Sequence, residues 1–240
     1  MLYGGVIILT YLIGGILCTA TLYMFIPSLI TRVSGFGVFR KGTVKKQVAF
    51  TFDDGPHPEY TPELLDLLKL HQVKATFFVL GSRAEQYPDL IRRMDREGHQ
   101  IGIHNYCHTS NWLMLPRTIR REHLDRSADI IESIVGTRPT HYRPPWGLIN
   151  LFDFFRYKQY RIVLWSLKAG DWNTRVCQTR MQAILLSGIT DGSVVLLHDS
   201  GETVGADRHA PYFMLQALEE VLNQLQATRN LQFVRLDEMS

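Results

Sequence analysis

The sequence predicts an α/β domain built on a parallel sheet, preceded by one apolar helix long enough to cross a bilayer. Three features predict it. Seven short apolar runs, often β-branched, read as strands; helical spacing fills several of the gaps between them; and no charged residue occurs from Leu2 to Thr31. Strands that alternate with helices form βαβ units, whose crossovers set the strands parallel in a sheet either closed into a barrel or left open.

The apolar stretch comes first. Val6 to Ile26 is mostly Ile, Leu, Val, Gly, Tyr and Phe, and about 20 such residues in a helix span a bilayer core. Pro27 marks its expected end. The run is long for a signal-peptide core, no Lys or Arg precedes it, and Leu17 stands where a lipoprotein site at Cys18 wants a small residue. Residues 1–31 therefore read as a retained single-pass anchor. Residues 32–45 follow as a basic linker within a cluster of Arg32, Arg40, Lys41, Lys45 and Lys46. By the positive-inside rule this flank argues for a cytoplasmic domain, although it can also lie against anionic head groups or stay solvated.

The domain expected over residues 46–240 follows. Val48–Phe52, Thr76–Leu80, Gln100–His104, Thr140–Arg143, Arg161–Trp165, Ser193–Leu197 and Gln232–Arg235 read as strands. Pro62–His71, Pro88–Gly98, Pro116–Gly136 and Met214–Ala227 read as helices, with Thr61 as an N-cap before Pro62 and with Gly98 and Gly136 as stops. The 26 basic and 23 acidic side chains of the 240-residue chain leave a charge of +3, concentrated near the start. No broad basic face is left for nucleic acid, and 45% hydrophobic residues exclude disorder over most of the length. Cys18, Cys107 and Cys177 offer no disulfide framework.

Four strand ends carry reactive groups. The first strand runs into Asp53-Asp54-Gly55-Pro56, two carboxylates where α/β folds place their sites, though the same residues also serve as plain turn chemistry. The third runs into His104 and His108, four positions apart. Two neutral imidazoles and one carboxylate make the open three-ligand set of catalytic Zn²⁺, with Asp54 able to be the third and His99 or Cys107 as weaker rivals. Arg143-Pro144-Pro145-Trp146-Gly147 and Leu197-His198-Asp199 end two further strands. An Arg there can pair with a carboxylate, rigid backbone can present an N–H to an oxyanion, and His198 supplies a proton donor. No Gly-x-Ser-x-Gly elbow or Walker Gly-Lys-Ser/Thr is present.

From about Val48 to the C-terminus the chain resembles the polysaccharide deacetylases with a NodB-homology domain, carbohydrate esterase family 4. The segments that carry the resemblance, in the family's order, are Thr51–Pro56, Ala75–Gly81, Gly98–His108, Arg143–Gly147, Asp171-Trp172 and Leu197–Asp199. The resemblance implies a distorted (β/α)₇-type barrel and metal-dependent hydrolysis of N-acetyl groups on amino sugars. It implies Asp53 as general base, oriented by Arg143, and Asp54, His104 and His108 as ligands of a divalent metal. Ligand type favours Zn²⁺, and other transition ions fit the same set. It further implies His198 as general acid, the Trp146 backbone N–H at the oxyanion, and Trp172 and Leu197 around the acetyl methyl.

Two positions depart from the family pattern. Lys168 stands where the segment ending in Asp171-Trp172 usually starts with an acid, and a nearby ammonium is expected to lower the pKa of His198. Asn105 replaces a hydroxyl residue that braces the loop between the two histidines, a task an Asn amide can also perform. The leading expectation is a membrane-anchored deacetylase of a cell-envelope polysaccharide such as peptidoglycan or a chitin-like chain. That substrate places the catalytic domain outside the cytoplasm, against the indication of the basic flank. A de-N-acylase of a lipid-linked sugar and a catalytically dead sugar-binding module are the alternatives.

Overall fold

The computed structural model describes residues 2–156 and 159–239. Its strands are β1 (Gln47–Asp53), β2 (Thr76–Val79), β3 (Gln100–Ile103), β4 (His141–Tyr142), β5 (Arg161–Ile162), β6 (Leu167–Lys168), β7 (Ser193–His198) and β8 (Gln232–Phe233). They form one curled sheet in the order β5-β4-β3-β2-β1-β7-β6, with β8 beside the start of β1 and every pairing parallel. The edges at β5 and β6 are not paired to each other. Instead the segment before β1 runs across: Phe39 bridges to Val163 just past β5, and Lys41 bridges to Ser193 at the start of β7. This seam is what distorts the barrel.

Both faces of the central strands are covered, so β1 and β7 read as continuous apolar runs. The period of two still sorts the residues. Val48, Phe50 and Phe52 of β1, with Val195 and Leu197 of β7, pack outward into the main core beneath the helices. Ala49 and Val194 point inward, where they join Phe78, Val163, Leu236 and Met239 in a small plug at the bottom of the barrel. Above that plug the inward positions are Thr51 and Asp53 of β1 and Leu196 and His198 of β7, polar except for Leu196.

Each of the seven expected strands is present, some with fewer residues. The eighth, β6, is two residues long and carries an exposed Lys, so it offers no apolar run. Short helices at Gly81–Gln86, Thr174–Thr179 and Met181–Gly188 were also unmarked by periodicity; the second has a local signal, since Asn173 accepts from the Val176 N–H as an N-cap. Thr61 is not the expected N-cap. The helix begins at Tyr60, and the Thr61 hydroxyl accepts from the His57 N–H and donates to Asp199. Gly98 and Gly136 stop their helices at φ 79° and 75°, as expected.

Pro27 does not end the first helix. Leu2–Ala20 passes through a π-helical turn at Thr21–Phe25 into Ile26–Ser34, which stops at Gly35 with φ 71°. Pro27 has no N–H for the carbonyl of Tyr23, and the Leu151 backbone N–H of the barrel takes that acceptor at 2.9 Å. The proline therefore opens a docking point where it was expected to break the helix.

Candidate active site

Three of the strand ends turn sharply into the barrel mouth. Asp54 after β1, Asn105 after β3 and Trp146 after β4 all hold left-handed backbone, with φ 76°, 65° and 55°. Such positions cost about 1 kcal/mol each for a residue with a Cβ and cluster where side chains must be aimed. Beneath the first turn, a Cβ on Gly55 would lie 2.2 Å from the buried Asp199 carboxylate, so only glycine fits.

The turns bring Asp54, His104 and His108 together. Asp54 Oδ1 lies 3.3 Å from His104 Nε2 and 3.4 Å from His108 Nε2, and a ligand atom from each of the three lies within 4.8 Å of the others. His104 Nδ1 donates to the Arg143 carbonyl at 2.7 Å, which leaves a lone pair on its Nε2. Burial, then the His104 ring, pushes His108 down to about 4, so it is neutral at pH 7. Asp54 Oδ2 accepts from Thr203 Oγ1 at 2.7 Å, while Oδ1 is buried with no hydrogen-bond donor among the described residues. Burial disfavours the Asp54 carboxylate, yet the surrounding histidines hold its pKa below the ordinary carboxylate value. One orphaned carboxylate oxygen facing two imidazole nitrogens is a donor set that wants a cation. Ligand atoms about 2.0–2.1 Å from a tetrahedral Zn²⁺ stand roughly 3.3–3.4 Å apart, so the residues fit one. His99, against Phe77 at 5.3 Å, and the exposed Cys107 stand outside this set.

Asn105 braces the loop between the ligands as expected. Its amide donates to the Thr109 carbonyl and to Asn111, and its Oδ1 accepts from the Tyr142 hydroxyl. Asn111 donates in turn toward Asp153, whose carboxyl burial pushes up to about 7. Asn111, Tyr142 and Asp153 escape sequence reading because the pairs they form are far apart along the chain.

Arg143 is fully buried in the barrel. It donates to Asp53 Oδ1 and Thr51 Oγ1 at 2.7 Å each and to the Leu164 carbonyl at 3.1 Å, with its guanidinium 4.2 Å over the Phe78 ring. Asp53 Oδ2 is 3.9 Å from His104 Nε2, toward the ligand cluster. The adjacent, paired strands β1 and β7 place Asp53 and His198 side by side in direct register.

His198 Nδ1 lies 3.1 Å from Asp171 Oδ2, which also accepts the His198 backbone N–H at 2.6 Å. Burial disfavours the charged ring, but the Asp171 carboxylate, then Asp54 and Asp53, push His198 up to about 10. This direction is opposite to the depression expected from Lys168. The Lys168 side chain is exposed and its ammonium stands 5.8 Å from the Trp172 ring, while the buried Asp171 contacts the imidazole. A raised pKa keeps the proton on His198 below that value and loses it as pH climbs through it. Asp171→Asn is therefore expected to move the alkaline limb of any activity that needs this proton to lower pH, while Lys168→Ala leaves it in place. A pH–rate profile of both variants checks this.

These groups surround a cleft of about 290 Å³, walled by Trp146, Trp165, Trp172 and Leu196 and rimmed by residues 203–206. Leu197 does not line it. It is fully buried on the opposite side of β7, because only residues an even step from His198 share its face. Trp165, Leu196 and Thr203 are site residues the sequence reading missed; the parity of β7 alone points to Leu196.

The model of the polysaccharide deacetylase family matches residues 40–152. A peptidoglycan-N-acetylglucosamine deacetylase of Bacillus cereus is 36% identical over 199 residues, 81% of this chain and 68% of that protein. The chain spans 40% or less of several longer curated relatives. A crystal structure of a peptidoglycan N-acetylglucosamine deacetylase is 32% identical, covers 87% of this chain and 95% of its own, and superposes with a TM-score of 0.75. A family 4 acetyl xylan esterase from Clostridium thermocellum, solved with a cobalt ion, is 33% identical over 80% of this chain and 89% of its own, with a TM-score of 0.71. Curled parallel sheet, strand-end chemistry and sequence agree that the chain belongs to the polysaccharide deacetylases of carbohydrate esterase family 4.

Proposed function

We propose that the chain is a metal-dependent hydrolase that removes N-acetyl groups from amino sugars of a cell-envelope polysaccharide, held at the membrane by its N-terminal helix. The observation that carries this reading is the direct register of Asp53 and His198, a candidate base and a candidate acid side by side on adjacent strands, beside the Asp54, His104 and His108 cluster. Relatives that act on peptidoglycan and on chitooligosaccharides support the substrate class.

A divalent cation held by Asp54, His104 and His108, for which this ligand set favours Zn²⁺, supplies polarisation of the amide carbonyl and a more acidic water. The chain's own residues do the rest. Arg143 fixes one oxygen of Asp53, which leaves the other free to take the proton of the attacking water. Trp146, held at φ 55° between Pro145 and Gly147, presents its backbone N–H to the oxyanion. Trp165, Trp172 and Leu196 form the apolar wall for the acetyl methyl. His198, kept protonated by Asp171, delivers a proton to the departing nitrogen, without which the amine is too basic to leave.

Acetate release by the full chain with Zn²⁺, from N-acetylglucosamine oligomers and from peptidoglycan, tests the proposal. Release from either supports it. A folded, zinc-loaded chain that releases none overturns the polysaccharide substrate. Zn²⁺ at about 100 times its Kd is expected to raise stability by about 2.7 kcal/mol. Calorimetry should show this gain, and Asp54→Ala should remove it.

A further inference from the structure

The N-terminal helix is joined to the catalytic edge of the barrel, the edge formed by the loops after β3 and β4. Tyr23 donates its hydroxyl to the Met114 carbonyl at 2.9 Å, and its own carbonyl accepts from Leu151. The Phe25 ring meets Trp112 edge-on at 4.9 Å, and Ser28 Oγ bonds both the carbonyl and the N–H of Ile149. Beyond these contacts the chain descends past Phe39 at Val163 to Lys41 at the start of β7, the opposite edge. The order of contacts sets the direction: the earlier helix residues project away from the barrel on the side of its catalytic loops.

The loops at that junction end in apolar tips. Leu113 is 83% exposed, Leu115 74% and Leu151 40%. The exposed Arg117, Arg120 and Arg121 follow Leu115 directly, and among the described residues Arg120 alone of these pairs with an acid, Asp125. On the helix, Pro27, Ser28 and Thr31 face the barrel, while Phe25, Leu29 and Val33 stay exposed. The apolar helix of 30 residues, Gly5–Ser34, is about 45 Å long at 1.5 Å per residue, against a hydrocarbon core of about 30 Å. If residue 5 enters at one face, the boundary on the other side falls near residues 23–25, the level of Trp112, Met114 and Leu151. Aromatic side chains and arginines beside apolar tips are what a bilayer boundary favours.

We infer that Trp112–Leu115 and Leu151, with helix residues 21–34, form a rigid seat on the lipid bilayer that turns the barrel's catalytic edge toward the membrane. The occupant of this apolar surface is lipid, because the surface is continuous with a helix long and apolar enough to span. Given the proposed deacetylase reading, the N-acetyl groups within reach are those of glycan lying against the membrane surface.

Fluorescence of single labels on the full chain, in vesicles of phosphatidylethanolamine and phosphatidylglycerol, tests the seat without requiring turnover. An NBD label is placed on Leu113→Cys or Leu115→Cys in a Cys18→Ser, Cys107→Ser background. Native Cys18 in Cys107→Ser marks the helix interior, and Leu70→Cys marks an exposed leucine at the opposite barrel edge. Labels at 113 and 115 are expected to shift to the blue and to resist aqueous iodide several-fold better than the label at 70. Iodide access equal to that at 70 overturns the seat. In that event the label at Cys18 shows whether the seat alone fails or the helix itself lies outside the membrane, and turnover on soluble oligomers reports the deacetylase reading separately.

Discussion

Asp53→Asn is expected to lower kcat/KM for deacetylation by about 10²–10⁴-fold, the usual contribution of a positioned general base. Asparagine keeps an oxygen for the Arg143 N–H that now bonds Asp53 Oδ1 at 2.7 Å, so the geometry beneath the site is retained. What it loses is the basic oxygen beside the ligand cluster, where Asp53 Oδ2 stands 3.9 Å from His104 Nε2. Asp54, His104 and His108 are untouched, and zinc content is expected to equal that of the parent. Turnover within threefold of the parent in a zinc-replete variant would remove Asp53 from the role of base. Lost zinc would show that Asp53 acts through the ligand cluster.

The site's reactive groups were legible because each stands directly after a strand, at the edge where parallel sheets collect their chemistry. Asp53, His104, Arg143 and His198 lie at or just past the ends of β1, β3, β4 and β7, and those strands have enough apolar, β-branched character to be seen. What was illegible has a common physical origin: it depends on which side of a strand faces inward, or on contacts between distant segments. Leu196 and Leu197 are chemically identical, and only the shared parity with His198 distinguishes the lining residue from the core residue. Lys168 follows an acid-to-base change that looks electrostatically decisive in sequence. In the fold its ammonium turns to the pocket rim, and Asp171 holds the imidazole. Thr203 reaches Asp54 from a loop without periodicity, and Asn111 meets Asp153 across 42 positions. Pro27 shows the same limit at the first helix, since its effect depends on Leu151 supplying the missing donor.

Arg143→Met is expected to destabilise the folded chain by about 3–5 kcal/mol, the typical cost of breaking a buried ion pair by removing one partner. Burial disfavours the guanidinium charge, and the Asp53 carboxylate is the counter-charge that offsets it. Methionine fills part of the volume over Phe78 but leaves Asp53, Thr51 and the Leu164 carbonyl without their shared donor. Against a total stability of about 5–15 kcal/mol for a domain, that loss is measurable by urea denaturation with zinc present. Arg143→Lys should recover little, because an ammonium cannot reproduce a planar fork that serves a carboxylate, a hydroxyl and a carbonyl together. The pair can be separated from simple packing by combining Arg143→Met with Asp53→Asn. If the buried charge is what costs stability, the double variant should be at least ~1 kcal/mol more stable than the sum of the two single losses predicts. Strict additivity would assign the loss to packing against Phe78. A single Arg143→Met variant within ~1 kcal/mol of the parent would show that the barrel tolerates the unpaired Asp53 carboxylate.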